Sequence, residues 1–289
     1  MTNSESFQEQ LRNKMGVLAT MHRKEQVIAP ILEHSLGIQV IVPEGLNTDA
    51  FGTFTRDIQR PGDQLQAARL KIAAAIELTG LTLALASEGS FGPHPSIPFL
   101  ACDREIVMLS DRDQRLELVG QTLSTQTNYR SQQITTVEAA LAFAEKVGFP
   151  THGLIAMPTA QPALSDSIFK GITDSDQLLD IVGWLLKRYD QAHLETDMRA
   201  MYNPTRMNVI AQATHQLISQ FEHCCAQCGT PGFSPVEYKP GLPCAVCKQP
   251  TELALAAIYH CKMCDFSQVI DYPDGNTIAD PAQCWYCNP

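Results

Sequence analysis

The chain has 289 residues, 44% of them hydrophobic, and a formal charge of −10 at neutral pH. That length and composition suit one large α/β domain with a small appendage and supply enough apolar side chains for a core. The acidic balance disfavours nucleic acid as a partner. No apolar run is long enough to span a bilayer or act as a secretory signal, so a cytoplasmic location without a membrane partner is expected.

Residues 1–13 are polar and read as an N-terminal extension, frayed or helical. From Met15 onward strands and helices alternate. GVLAT predicts a short buried strand, and EQVIAPILEHSLG a helix with Val27, Ile28, Ile31 and Leu32 on one side and Gly37 as its stop. IQVIV is a second buried strand. Asp63, with Gln66 three residues on, is placed to cap a helix that turns Leu65, Ala68, Ile72, Ala75 and Ile76 inward. LTLALA is a third strand, and SEGSFGPHP after it reads as a loop. EIVMLS and LELVGQTLST form a strand pair around DRDQR. TTVEAALAFAEKVG then predicts a helix, HGLIAM a strand and FKGI a short element, before a helix over 174–187, a strand at HLETDM and a helix over 204–221. This rhythm predicts an α/β domain over 14–221, with a wound, mixed, mostly parallel sheet and flanking helices.

After residue 221 the character changes to glycine, proline and cysteine. Four Cys-x-x-Cys pairs, Cys225/Cys228, Cys244/Cys247, Cys261/Cys264 and Cys284/Cys287, provide the thiolates for two tetrahedral zinc sites in a module over 222–289. The stretch containing TELALAAIYH between the second and third pairs fits a zinc-ribbon-like hairpin. The expected pairing is therefore nested, second with third and first with fourth, with sequential and interleaved pairings left open. Cys224 reads as a bystander thiol. Eight thiolates closed on two metals leave no open coordination position, so the zinc is expected to be structural, with docking of a protein partner as the other use of the module. Lys239, Lys248 and Lys262 are outnumbered there by Glu222, Glu237, Glu252, Asp265, Asp271, Asp274 and Asp280, so the module should be acidic.

In a wound sheet, ligands gather beyond the C-terminal ends of strands. Three polar clusters lie at such places. ATMHRKE carries Thr20, His22, Lys24 and Glu25 at a strand-to-helix turn, and FGTFTRDIQR with the helix after it adds Thr53, Thr55, Arg56, Arg60, Arg69 and Lys71. Lys71 reads as a solvated face residue. SEGSFGPHP carries Ser87, Glu88, Ser90 and His94. In HLETDMRAMYNPTR, strand alternation puts Glu195, Asp197 and Arg199 on one side, and Asn203 caps a helix that begins at Pro204. Arg206 beside that helix N-terminus reads either as part of an anion site or as the partner of Asp197 in a buried ion pair.

The segments TDAFGTFTRDIQR, ASEGSFGPHPSIPF, FPTHGLI, ETDMRAMYNPTRM and ADPAQCWYC resemble a bacterial family known as a domain of unknown function (DUF6671), over nearly the whole chain from GVLAT to CNP. VLATMHRKEQVIAPILEHSLGIQVI is in turn similar to the opening of inosine-triphosphate pyrophosphatases. Carried over by position, that second resemblance makes Thr20 and Lys24 phosphate contacts and Glu88 a carboxylate for magnesium or for a base, with His22 where the family has an asparagine. The functional expectation is a magnesium-dependent hydrolase of a nucleotide or other phosphorylated small molecule. Its catalytic candidates are Glu88, Asp103 and Asp197. Its substrate contacts are Thr20, His22, Lys24, Arg69, Ser90, His94, Arg199, Asn203 and Arg206. The alternative is a non-catalytic ligand-binding protein whose zinc module docks a partner.

Overall fold

The computed structural model describes residues 3–46, 63–162 and 167–289, so Thr53, Thr55, Arg56 and Arg60 of the TDAFGTFTRDIQR motif lie outside the described residues. The chain divides into two compact units, Asn13–Ile218 and a sequence-discontinuous unit of Met1–Arg12 with Ser219–Pro289.

The larger unit contains two sheets. The first has the order β2-β1-β3-β4-β5, from β1 (Met15–Ala19), β2 (Gln39–Ile41), β3 (Leu83–Pro93), β4 (Ala101–Asp111) and β5 (Leu116–Ser124). Strand β1 is parallel to β2 and β3, whereas β3–β4 and β4–β5 are antiparallel. The second sheet, β6 (Ser131–Ile134), β7 (Leu154–Met157), β8 (Phe169–Ile172) and β9 (Ala192–Thr196), has the order β6-β9-β7-β8 and is antiparallel throughout. The fold is mixed α/β, but the mostly parallel sheet expected from the sequence is corrected. Parallel pairing is confined to β2-β1-β3, because alternation of strand and helix does not reveal whether a helix returns the chain to the sheet it left. Helices α4 (Val137–Lys146) and α5 (Ser175–Tyr189) instead cover the second sheet, whose core gathers Phe143, Leu154, Ile172, Leu178, Val182 and Leu194.

Local chemistry explains the helix ends. Helix α2 (Glu25–Leu36) stops at Gly37, which takes the left-handed conformation at φ 67 that glycine adopts without strain. Helix α3 (Gln64–Thr79) begins where the Asp63 carboxylate accepts from Gln66 N at 2.8 Å. Its inner stripe, Ala68, Ile72, Ala75 and Ile76, packs on one face of the first sheet against Val17, Ala19, Ala84, Ala86, Ile106 and Met108. Helix α6 (Pro204–Ser219) lies on the opposite face, where Gly120 admits its backbone: a Cβ there would overlap Ala213 O and Leu217 N. Gly120 pairs with Val107, so alternation puts Val107, Glu105 and Asp103 of β4 on the α6 side.

In the smaller unit, α1 (Asn3–Leu11) lies against the turn at Gln220–Glu222. Strands β10 (Ser234–Pro240), β11 (Ala254–His260) and β12 (Ser267–Asp271) form an antiparallel sheet in that order.

Candidate functional site

The eight paired cysteines gather into two groups, Cys225, Cys228, Cys261 and Cys264, and Cys244, Cys247, Cys284 and Cys287, with the sulfurs of each group within 4.8 Å of one another. The pairing is interleaved, first pair with third and second with fourth, which corrects the nested expectation. Spacing alone cannot fix this choice, because any two knuckles can present four sulfurs. Sulfur–sulfur separations of 3.7 and 3.6 Å in one group and 3.8 and 3.5 Å in the other are far longer than a disulfide bond. A regular tetrahedron with zinc–sulfur bonds of about 2.3 Å has edges of about 3.8 Å. Both groups are therefore compatible with zinc in donor type, donor number and spacing. Cys224 is in neither group, and its Sγ donates to Phe221 O at 3.4 Å.

In the larger unit, charged side chains are buried where β3 and β4 run on past the end of β1. The segment SEGSFGP is strand, not loop, and continues β3 against β4 as far as Pro93. The Glu88↔Ile106 and Gly89↔Glu105 pairings put Glu88 on the α3 face and Glu105 on the α6 face. Glu88 pairs there with Lys71, Nζ to Oε1 at 2.5 Å, with both side chains largely buried. This corrects Lys71 as a solvated residue: it shares the inward stripe of α3 with Ala68 and Ala75, and Glu88 supplies the partner that a buried ammonium requires. On the other face, Arg206 and Glu105 are fully buried and paired, Nε to Oε1 at 2.7 Å. Arg206 also donates from Nη1 to Met198 O, and its guanidinium lies 5.2 Å from the Phe91 ring centroid. Gly89 makes room for this pair, since a Cβ there would overlap Glu105 Oε1 and lie 2.5 Å from Arg206 Nη2.

Lys24 and Asp103 belong to neither of these ion pairs. Lys24 is 6% exposed and donates to Ser87 O at 3.1 Å and Ser87 Oγ at 3.2 Å, both neutral acceptors. Burial pushes its ammonium down to about 7; Arg206 adds to the shift, and Glu105 and Glu88 oppose it. Lys14, ahead of the same strand, instead reaches Asp111 at 2.8 Å and Asp113 at 3.0 Å. Asp103 is 1% exposed, and neither of its carboxylate oxygens has a hydrogen-bond partner among the described residues. Burial and then the Glu105 carboxylate push it up to about 8. The Thr20 hydroxyl is also buried without a hydrogen-bond partner among the described residues. The turn that carries Lys24 into the interior passes through Arg23 at φ 58, a left-handed conformation that residues with a side chain rarely adopt.

A family model described as Domain of unknown function (DUF6671) matches residues 71–289. The chain belongs to that family. No curated protein matches it. In this DUF6671 chain the matched span holds every paired cysteine together with Lys71, Glu88, Asp103, Glu105 and Arg206, whereas Thr20 and Lys24 precede it. The match therefore does not extend back to GVLAT.

The remaining predicted residues of the DUF6671 chain disperse. Asp197 does not face Arg206: it holds Arg199 at 2.6 Å and accepts from Gly171 N at 3.0 Å. Strand β9 ends at Thr196, so alternation no longer relates Asp197 to Glu195, which takes His193 at 3.1 Å instead. Arg199 lies 4.6 Å from the Tyr202 ring centroid. Asn203 is the helix cap, its Oδ1 accepting from Arg206 N at 3.0 Å and its Nδ2 donating to Asn128 Oδ1 at 2.9 Å. Arg69 is exposed and bidentate with Glu117 at 2.8 and 3.0 Å. Ser90 pairs with Arg104 on the Glu88 face, and His94 accepts from Ser96 N at 3.2 Å at the hairpin end. His22 is half-buried in the turn before Lys24. Among the described residues, the cysteine groups are the only sets of three or more His, Cys, Asp or Glu side chains close enough to share an ion. Magnesium on Glu88 with Asp103 or Asp197 is therefore unsupported, since the first two lie on opposite faces and Asp197 is occupied by Arg199.

Glu105 opens the apolar run EIVMLS, which reads as a strand without marking its first residue as a buried acid. The signal available was the i, i+2 spacing of Asp103 and Glu105, which places two acids on one face of an otherwise buried strand.

Proposed function

We propose that the chain is a zinc-stabilised ligand-binding protein: two structural zinc ions hold the C-terminal unit, and the α/β unit takes a phosphorylated small molecule beside Thr20 and Lys24. The observation that carries the ligand reading is a buried lysine whose hydrogen-bond acceptors among the described residues are neutral, on the same strand-to-helix turn as the Thr20 hydroxyl, which is buried without a described partner. Keeping an ammonium there is costly unless an anion arrives, and the first-turn amides of α2 favour one. Zinc is favoured by the sulfur geometry. Eight thiolates also call for a compartment that keeps them reduced, which supports a cytoplasmic location.

Nucleoside triphosphates, sugar phosphates and inorganic phosphate, each with and without magnesium, test the ligand reading. Thermal stabilisation that Lys24→Met abolishes, without product, is the expected result. Product formation would make the protein a hydrolase, and no response from any compound would remove the ligand site.

A second reading, partner docking at the zinc module, is favoured by the second cysteine group. Its knuckles expose Val246 at 70%, Trp285 at 72% and Tyr286 at 72%. A photo-crosslinker at position 286 should capture a discrete protein, and Val246→Asp with Trp285→Ala should abolish that product. An unchanged product in the double variant would remove these side chains from docking.

A further inference from the structure

We infer that Asp103 and Glu105 share a single proton in the folded protein, so that β4 carries a neutral carboxyl group whose proton bridges to Glu105 until a ligand oxygen replaces Glu105 as its acceptor. The donor role rests on the ligand reading above, whereas the shared proton does not.

Asp103 and Glu105 occupy successive inward positions on one face of β4 and are 1% and 0% exposed. Glu105 Oε1 accepts from Arg206 Nε, which leaves Glu105 Oε2 and both oxygens of Asp103 buried with no hydrogen-bond partner among the described residues. A carboxylate can only accept, so three such oxygens side by side would lack donors and would add a second negative charge beside one guanidinium. One proton on Asp103 removes that charge and turns an acceptor into a donor aimed at Glu105 Oε2. The same logic gives one shared proton to paired carboxyl groups elsewhere.

The surroundings cannot substitute for the proton. Arg206, from α6, gives Nε to Glu105 Oε1 and Nη1 to Met198 O but no hydrogen bond to Asp103 or to Glu105 Oε2, and Lys24, ahead of α2, donates to Ser87. Lys71 and Glu88 are paired on the opposite face. From β5, Thr122 stands opposite Glu105 and Ser124 opposite Asp103, yet neither hydroxyl bonds a carboxylate. The upward push on Asp103 to about 8 agrees with this arrangement.

Infrared spectroscopy of the full chain tests the proton directly. The carbonyl stretch of a protonated buried carboxyl group should be present at pH 7, fade as pH passes about 8, and be missing in Asp103→Asn. Absence of the band at pH 7, or its survival in Asp103→Asn, overturns the proposal. The Asn variant should fold, because its amide donates to Glu105 Oε2 in place of the proton.

Stability gives a second readout. Folded Asp103 keeps its proton up to about 8, against an ordinary value of 3.8, so between these values the folded state binds the extra proton and stability falls as pH rises. Lys24 contributes the opposite limb: at about 7 folded against 10.5 ordinarily, it loses its proton earlier in the folded state, so stability rises with pH between those values. Relative to Asp103→Asn, the wild-type folding equilibrium constant should fall up to about tenfold per pH unit across the acid window, the limit for one proton. A flat difference overturns the proposal. If neither inorganic phosphate nor any of the nucleoside triphosphates and sugar phosphates stabilises the protein at any pH, the ligand reading and the donor role fall, while the band still decides the shared proton.

Discussion

Removing one cysteine ligand is expected to cost the C-terminal unit both of its zinc ions. Wild-type protein should carry two zinc per chain, and Cys261→Ser or Cys244→Ser should each bring the content well below one. The reason lies in the interleaving. The group containing Cys225 and Cys264 closes a loop around Cys244 and Cys247, and the group containing Cys244 and Cys287 closes a loop around Cys261 and Cys264. Each site is therefore assembled on chain that the other orders. One buried cluster of the unit is Cys225, Phe233 and Cys261 with Tyr259, Cys264 and Phe266 against it, so half of those side chains are themselves ligands. Strands β10 and β12 leave Val236 60%, Tyr238 57% and Val269 54% exposed. Apparent binding energies of about 10–16 kcal/mol per structural zinc exceed anything such a core supplies. Chelation should accordingly abolish the folded signal of this unit, while the α/β unit, with its own large cores, keeps a cooperative melt. A nested pairing would behave differently, because loss of the outer site would leave the inner hairpin and one zinc. Retention of about one zinc per chain in either serine variant would show that the two sites fold independently.

What could be read from the sequence follows from how local each determinant is. The Asp63 cap, the stop at Gly37 and the inner stripe of α3 depend on residues within a few positions of each other, and each was legible. The cysteine ligands were legible as a set because the knuckle motif is local; their pairing was not, because it depends on the path of the whole tail. The SEGSFGP segment misled for a physical reason. Glycine, serine and proline there look like turn chemistry, but Gly89 is small because Glu105 and Arg206 need its space across the ladder. Lys71 misled because its charge outweighed its position on the apolar stripe. The partner of Arg206 lies 101 residues away in sequence, and no periodicity encodes a contact of that kind.

The Arg206–Glu105 pair gives the other large expected effect. Arg206→Met should destabilise the α/β unit by about 3–5 kcal/mol, since it leaves the Glu105 carboxylate buried with no guanidinium to offset its charge. Arg206→Met with Glu105→Leu should recover most of that loss, because a buried ion pair replaced by apolar side chains of similar volume is often neutral or stabilising. Chemical denaturation of the three proteins measures the difference. Gly89→Ala separates geometry from charge: it keeps every ionisable group but puts a methyl where Glu105 Oε1 and Arg206 Nη2 meet, so the pair must part. Its cost should approach that of Arg206→Met and should shrink sharply in an Arg206→Met, Glu105→Leu background, where the methyl meets side chains that can repack. Such coupling is the signature of residues in direct contact. Equal costs in both backgrounds would mean that the alanine strains β3 itself, and that Gly89 is not small for the sake of the ion pair.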